Sequence, residues 1–155
     1  MASRRINVRG LIKKDGKLFA QKLKNKDGTS TSYWCTPGGG IDPQESLHDA
    51  LKREMIEETG VAPKIGRLVL IQQFAYKGTT NHDETEQLEF FFEITNSDDY
   101  ENIDISATTH GDLEIAECDF INPDEYNLLP TILAEPEFRS AMDDPTASVL
   151  FHTEL

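Results

Sequence analysis

The order of segments along the chain predicts an α/β or α+β sandwich. Three observations predict it. The chain opens with two strand-like segments around a Lys-Asp-Gly turn, carries one well-capped helix near its middle, and returns afterwards to runs rich in Leu, Ile, Val and Phe. Its 155 residues suit a single domain. No internal repeat, low-complexity tract or linker divides it, so residues 1–155 are read as one unit.

Ile6 to Ile12 and Lys17 to Leu23 read as a β-hairpin closed at Gly16. Arg4 and Arg5, ahead of it, read as a flexible terminus. A polar stretch from Lys24 to Ser32 and the aromatic pair Tyr33 and Trp34 lead into Thr36-Pro37-Gly38-Gly39-Gly40, which must turn tightly. From Ser46 to Thr59 every residue tolerates helix, Ser46 with Asp49 resembles a capping box, and Gly60 stands where a C-terminal cap belongs. Arg67 to Phe74 and Leu88 to Thr95 read as strands, with Lys77 to Gln87 between them as a surface loop. Asn96 to Gly111 is polar and acidic without a clear period. Glu114 to Ile121 reads as strand, and Asn122 to Met142 as helix started or interrupted by Pro130 and Pro136. The tail after Asp143 carries no pattern.

Composition narrows the function. The chain is 37% hydrophobic and 28% charged, within the globular range. Its 15 basic and 28 acidic residues give a formal charge of -13, which repels duplex nucleic acid and anionic membrane. No apolar run reaches the roughly 20 residues that span a bilayer, and the start lacks a signal peptide's apolar stretch, so the expected compartment is the cytoplasm. Cys35 and Cys118 lack CxxC spacing and read as reduced structural thiols. His48, His82, His110 and His152 have neither HxxxH nor HExxH spacing and read as surface residues.

The central helix is unusual in its charges. Leu47, Leu51 and Met55 form one stripe, and Glu54, Glu57 and Glu58 occupy the adjoining arc, at the margin of the buried face. Glutamates at i, i+3 and i, i+4 typically cost a helix roughly 0.2–0.5 kcal/mol per pair. Near the C-terminus the macrodipole disfavours each exposed anion by about 0.3–1 kcal/mol more. A hard divalent cation such as Mg2+ or Mn2+ reverses both effects, and carboxylates completed by water and phosphate oxygens are its preferred ligands. An isolated Glu-Glu pair would read as a solvated acidic patch. The flanking residues here override that reading.

Those residues run Gly39-x5-Glu45-x7-Arg53-Glu54-Met55-x-Glu57-Glu58-x-Gly60-Val61. This resembles the signature of the Nudix hydrolase family, G-x5-E-x7-R-E-U-x-E-E-x-G-U with U a bulky aliphatic residue, and every fixed position is filled. Trp34-x-x-Pro37-Gly38-Gly39 also looks like the loop that commonly precedes the signature. The signature covers residues 39–61, and the order of elements extends the resemblance over most of the chain up to Asp143.

The resemblance implies a Nudix-type α/β/α sandwich with a mixed β-sheet, and hydrolysis of a nucleoside diphosphate linked to another moiety: a nucleotide sugar, dinucleoside polyphosphate or nucleoside triphosphate. It implies Glu54, Glu57 and Glu58, with the Gly39 carbonyl, as ligands to Mg2+ or Mn2+. Arg53 would orient the catalytic carboxylate and pair with Glu45. Gly38, Gly39 and Gly60 would be conformational, while Met55, Val61, Trp34 and Pro37 would serve packing. The general base would be Glu54 or Glu57, or else a late-loop acid, Asp112 or Glu114, which also read as ordinary loop acidity. Lys22 falls where related proteins place a cation against substrate phosphate, and Tyr76 resembles a base-stacking tyrosine of dinucleoside polyphosphate hydrolases. The proline that marks many ADP-ribose pyrophosphatases is absent, since no Pro lies between Pro63 and Pro123. The expected partner is a small-molecule nucleotide, and the chain a monomer or homodimer. The alternative is a Nudix-fold sensor that binds a nucleotide without hydrolysing it.

Overall fold

The computed structural model describes residues 3–77 and 84–155, without the side chains of Tyr76, Lys77 and Glu84. In chain order its elements are β1 (Ser3–Leu11), β2 (Lys13–Lys14), β3 (Lys17–Leu23), β4 (Trp34–Cys35), β5 (Gly38–Gly40), α1 (Leu47–Thr59), β6 (Ile65–Lys77), β7 (Glu84–Ile94), α2 (Gly111–Glu114), β8 (Ile115–Ile121), β9 (Leu128–Leu129), α3 (Pro136–Asp143) and β10 (Leu150–Glu154). They make two mixed sheets, and the protein is α/β. The first has the order β10-β6-β7-β1-β5; the second runs β2-β3-β4-β9, with β8 paired to β3.

The first sheet is covered on both faces because β7 alternates. Phe91 packs with Leu11, Leu70, Trp34 and Leu133 between the sheets. Phe92 points the other way, to Val8, Leu51 and Met55 under α1. β1 lies between β7, which it pairs in parallel, and the short β5, which it pairs antiparallel. The helix starts where expected: the Ser46 hydroxyl accepts from the Asp49 N–H at 3.1 Å. Gly60, at φ 77°, closes it with its N–H on the Ile56 carbonyl.

Several expectations need correction. The opening hairpin is divided between the sheets, since β1 pairs with β7 and β5, and only Lys13–Lys14 pairs with Lys17 and Leu18. β1 buries Val8 on one face and Leu11 on the other, and pairing at both edges satisfies its backbone N–H and C=O groups inside the sheet. Arg4 and Arg5 belong to this strand, and Arg4 forms an ion pair with Glu86 at 3.0 Å. The expected loop from Lys77 to Gln87 is largely strand at its far end, because β7 begins at Glu84. Residues 78–83, His82 among them, lie outside the described residues.

Of the helix expected over Asn122 to Met142, only α3 forms an α-helix. Leu128 and Leu129 instead pair with β4 in parallel, and Thr131–Ala134 is a 3-10 turn after Pro130, which has no N–H to continue a helix. The tail after Asp143 returns as β10, an edge strand parallel to β6. Cys35 and Cys118 are free thiols. No helix among the described residues is long and apolar enough to cross a membrane.

Phe91 is fully buried where the two sheets meet, whereas Phe151 on the edge strand is 76% exposed. Phe91→Ala is expected to lower stability by about 3–5 kcal/mol and Phe151→Ala by less than about 0.5 kcal/mol, read from urea unfolding midpoints.

Candidate active site

The site begins with backbone. Gly38 sits opposite Arg9 and Gly39 opposite Val8 in the β1–β5 ladder. At Gly38, φ is 138° and an added Cβ would stand 2.0 Å from the Val8 carbonyl oxygen, so only glycine fits. At Gly39 an added Cβ would lie 2.6 Å from the carboxyl carbon of Glu54. The missing side chain is therefore the space that Glu54 occupies.

Helix α1 brings its three glutamates to this loop in different states. Glu58 is 6% exposed, and one carboxylate oxygen accepts the Gly38 N–H at 3.0 Å. Burial pushes its carboxyl up to about 8, against the opposing pull of the Gly38 N–H and of Arg9. Glu54 accepts from Arg53 Nη1 at 2.9 Å. Glu57 lies 3.5 Å from the same nitrogen and 3.2 Å from Nδ1 of His110. The helical wheel sets all three at the margin of the buried face; Glu58 goes deeper, to the Gly38 N–H.

Arg53 joins these parts. Its Nε and Nη2 meet the two oxygens of Glu45 at 2.8 and 2.9 Å, and Nη2 also donates to the Gly40 carbonyl at 3.1 Å. The fork ties the loop before α1 to the helix while Nη1 turns to the glutamates. The Arg53 guanidinium beside Glu45 and the Asp42 N–H hold the Glu45 carboxyl down to about 2.

In front of the glutamates lies a cleft of about 910 Å3. Glu54, Glu57, Glu58, Gly39 and Glu114 line it. Glu45 lies behind it and reaches it only through Arg53. Asp112 is not part of the lining; its carbonyl accepts the ammonium of Lys24, which does line the cleft. Lys22 does not reach the lining either, and its ammonium lies 5.3 Å from the centre of the Trp34 ring. The side chain of Tyr76 is outside the described residues.

The sequence reading missed Arg5, Arg9 and His110, all of which line the cleft. Arg5, Asn7 and Arg9 alternate along β1, and that period of two was the available signal. Arg9 meets Glu89 at 2.9 Å and donates to the Thr36 and Gly38 carbonyls at 3.2 and 3.3 Å. Arg5 lies against Gly40 and forms no ion pair among the described residues. His110 donates its backbone N–H to the Glu57 carbonyl at 3.0 Å, which holds the imidazole at the cleft.

The donor set can be tested against a divalent cation. Every candidate donor is oxygen, the Gly39 cradle holds Glu54 at the backbone, and Glu58 is a carboxylate whose burial a nearby cation would offset. Among the described residues no three His, Cys, Asp or Glu side chains form a ready-made metal cage. Mg2+ keeps several waters and needs only one or two carboxylates beside substrate phosphate, so the residues fit an open site.

The NUDIX domain family model matches residues 3–142. An RNA pyrophosphohydrolase of Erythrobacter litoralis is 28% identical over 149 residues, covering 86% of this chain and 85% of that protein. An RNA pyrophosphohydrolase of Novosphingobium aromaticivorans is 40% identical over 60 residues, 38% of this chain and only 35% of the relative. The solution structure of the E. coli ORF135 protein superposes with a TM-score of 0.61 at 21% identity, over 94% of this chain and 96% of that one, and shares the fold.

The Glu45 tether has a pH signature. A carboxyl held at about 2 rather than 4.5 stabilises the folded state above pH 4.5, and the contribution fades as pH falls from 4.5 towards 2. Glu45→Gln is expected to reduce stability at neutral pH and to flatten the loss between those values, measured as melting temperature against pH. An unchanged acid limb would refute the tether.

Proposed function

The chain belongs to the NUDIX family, and on that premise we propose that it is a metal-dependent pyrophosphohydrolase acting on a nucleoside diphosphate linked to another moiety. The observation that carries the reading is the convergence of Glu54, Glu57 and Glu58 on a glycine loop at the head of a nucleotide-sized cleft. A cluster of that kind in a chain of charge -13 repels a pyrophosphate unless a cation intervenes.

Glu54, Glu57, Glu58 and the Gly39 carbonyl would hold Mg2+ or Mn2+, which when bound neutralises phosphate charge and lowers the pKa of a coordinated water. Arg53 keeps Glu54 and Glu57 oriented, since both lie within 3.5 Å of its Nη1. Arg5, with no acidic partner among the described residues, is the side chain available to a substrate phosphate. Arg9 has a different part: its guanidinium is taken by Glu89 and by two loop carbonyls, so it fixes the loop. The proton released by the attacking water passes to a carboxylate facing the cleft, Glu54, Glu57 or Glu114. Glu57 already accepts from Arg53 and faces His110, so a proton arriving there remains within a hydrogen-bonded group.

The test is release of phosphate or nucleoside monophosphate from nucleotide sugars, ADP-ribose, dinucleoside polyphosphates, nucleoside triphosphates and a short 5′-triphosphorylated RNA. Turnover of one class is expected with Mg2+ or Mn2+ and none with EDTA. Glu57→Gln should reduce kcat by about a hundredfold or more while the melting temperature holds. If the parent turns over nothing, yet a nucleotide raises its melting temperature, the protein is a sensor instead.

A further inference from the structure

The floor of the cleft is a grid fixed by strand register. On one face of the first sheet, Asn7 pairs with Glu89 and Glu89 with Gln72, a row that starts at Gly40. Arg5, Gln87 and Phe74 form the next row, and Arg9, Phe91 and Leu70 the row on the other side. From Gly40 to Gln72 the central row crosses three strand spacings, about 14 Å. A nucleoside diphosphate spans that distance with its phosphates at the glutamates and its base over β6 and β7.

The central row is buried and incompletely paired. Asn7, Gln72 and Glu89 are 1%, 4% and 4% exposed. Asn7 Nδ2 donates to Gln87 Oε1 at 2.8 Å and to Glu89 Oε2 at 3.4 Å, and Arg9 Nε donates to the same Glu89 oxygen at 2.9 Å. A carboxylate paired with arginine only accepts, so the Asn7 amide is fixed with its oxygen away from Glu89. That oxygen has no hydrogen-bond partner, and neither has Oε1 of Gln72. Of six such orphaned buried atoms among the described residues, four belong to side chains lining this cleft. Native structures leave few buried polar atoms unpaired, and orphans gathered in one cleft point to a ligand that completes them.

The unpaired atoms in the row, Asn7 Oδ1 and Gln72 Oε1, are acceptors, and the Glu89 carboxylate between them in register accepts as well. Their complement is a flat edge carrying adjacent N–H donors. Among the common bases guanine alone has it, with a ring N–H next to an exocyclic amino group. Adenine and cytosine set a ring lone pair beside their amino group, and uracil flanks its single ring N–H with carbonyls. Each would turn a lone pair towards a carboxylate and leave acceptors unpaired.

Resting on the reading of the cleft as a nucleotide hydrolase site, we propose that Asn7, Glu89 and Gln72 select guanine, in a free nucleotide or at the 5′ end of an RNA. Leu23, Leu129 and Pro130 supply an apolar wall to the same cleft, as a base between hydrogen-bonding edge and apolar face requires.

Turnover of GTP, ITP, ATP, CTP and UTP, and of the matching nucleoside diphosphate glucoses, would be compared with Mg2+. Guanine forms should exceed adenine, cytosine and uracil forms on the order of a hundredfold in kcat/KM, with hypoxanthine, which lacks the amino group, between them. Glu89→Gln should bring guanine down to hypoxanthine, and Gln72→Leu, which leaves the Arg9 pair alone, should narrow the preference if Glu89→Gln fails to fold. A 5′-triphosphorylated RNA starting with G, set against one starting with A, separates the two sources. Turnover without preference for guanine in either arm overturns the proposal and leaves the hydrolase reading standing. Should nothing turn over, melting-temperature shifts with GMP, IMP, AMP, CMP and UMP still decide the base, and equal shifts overturn it.

Discussion

The structure depends on one close approach, that of the α1 carboxylates to the bare backbone of Gly38 and Gly39. Two glycines lacking side chains allow it, one because its φ of 138° leaves no room beside Val8 and one because Glu54 fills the place of its Cβ. Everything else in the site serves that contact. β1 holds the glycine loop in its ladder, Arg9 clamps two of the loop's carbonyls, and the capped helix brings its glutamates to meet it.

The contact gathers negative charge, and the protein offsets it from three directions. The Gly38 N–H faces Glu58, Arg53 faces Glu54 and Glu57, and Arg9 stands behind with Glu89. Arg53 is itself immobilised by both oxygens of Glu45, so its position is set by the loop before the helix rather than by the glutamates it serves. Burial in this arrangement still displaces the Glu58 carboxyl upward from its normal range.

Much of this could be read from the sequence. The helix, both its caps, the acidic arc and the Arg53–Glu45 pairing follow from spacing or from the family signature, because each is local or fixed by a motif. What could not be read is what depends on long-range pairing. β1 looked like half of a hairpin because its neighbours in the sheet, β5 and β7, come from distant parts of the chain. For the same reason the period of two in Arg5, Asn7 and Arg9 puts them on one face of β1 without telling that this face meets the cleft. The 122–142 region failed otherwise: its composition tolerates helix, but prolines and the pairing of β9 with Trp34 and Cys35 decide against it. Lys22 and Lys24 are two residues apart, and only the path of β3 and the loop after it determines that the second lines the cleft.

The alternation of β1 carries a further consequence for how the chain can change. Asn7 and Arg9 face the cleft, while Val8 between them packs beneath α1. Losing or gaining a single residue within this strand would exchange the two sides, burying an arginine under the helix and presenting a valine to the ligand. Single substitutions can therefore retune the floor one position at a time, but the segment has no freedom to vary in length. Descendants of this chain should differ here in letters and never in count.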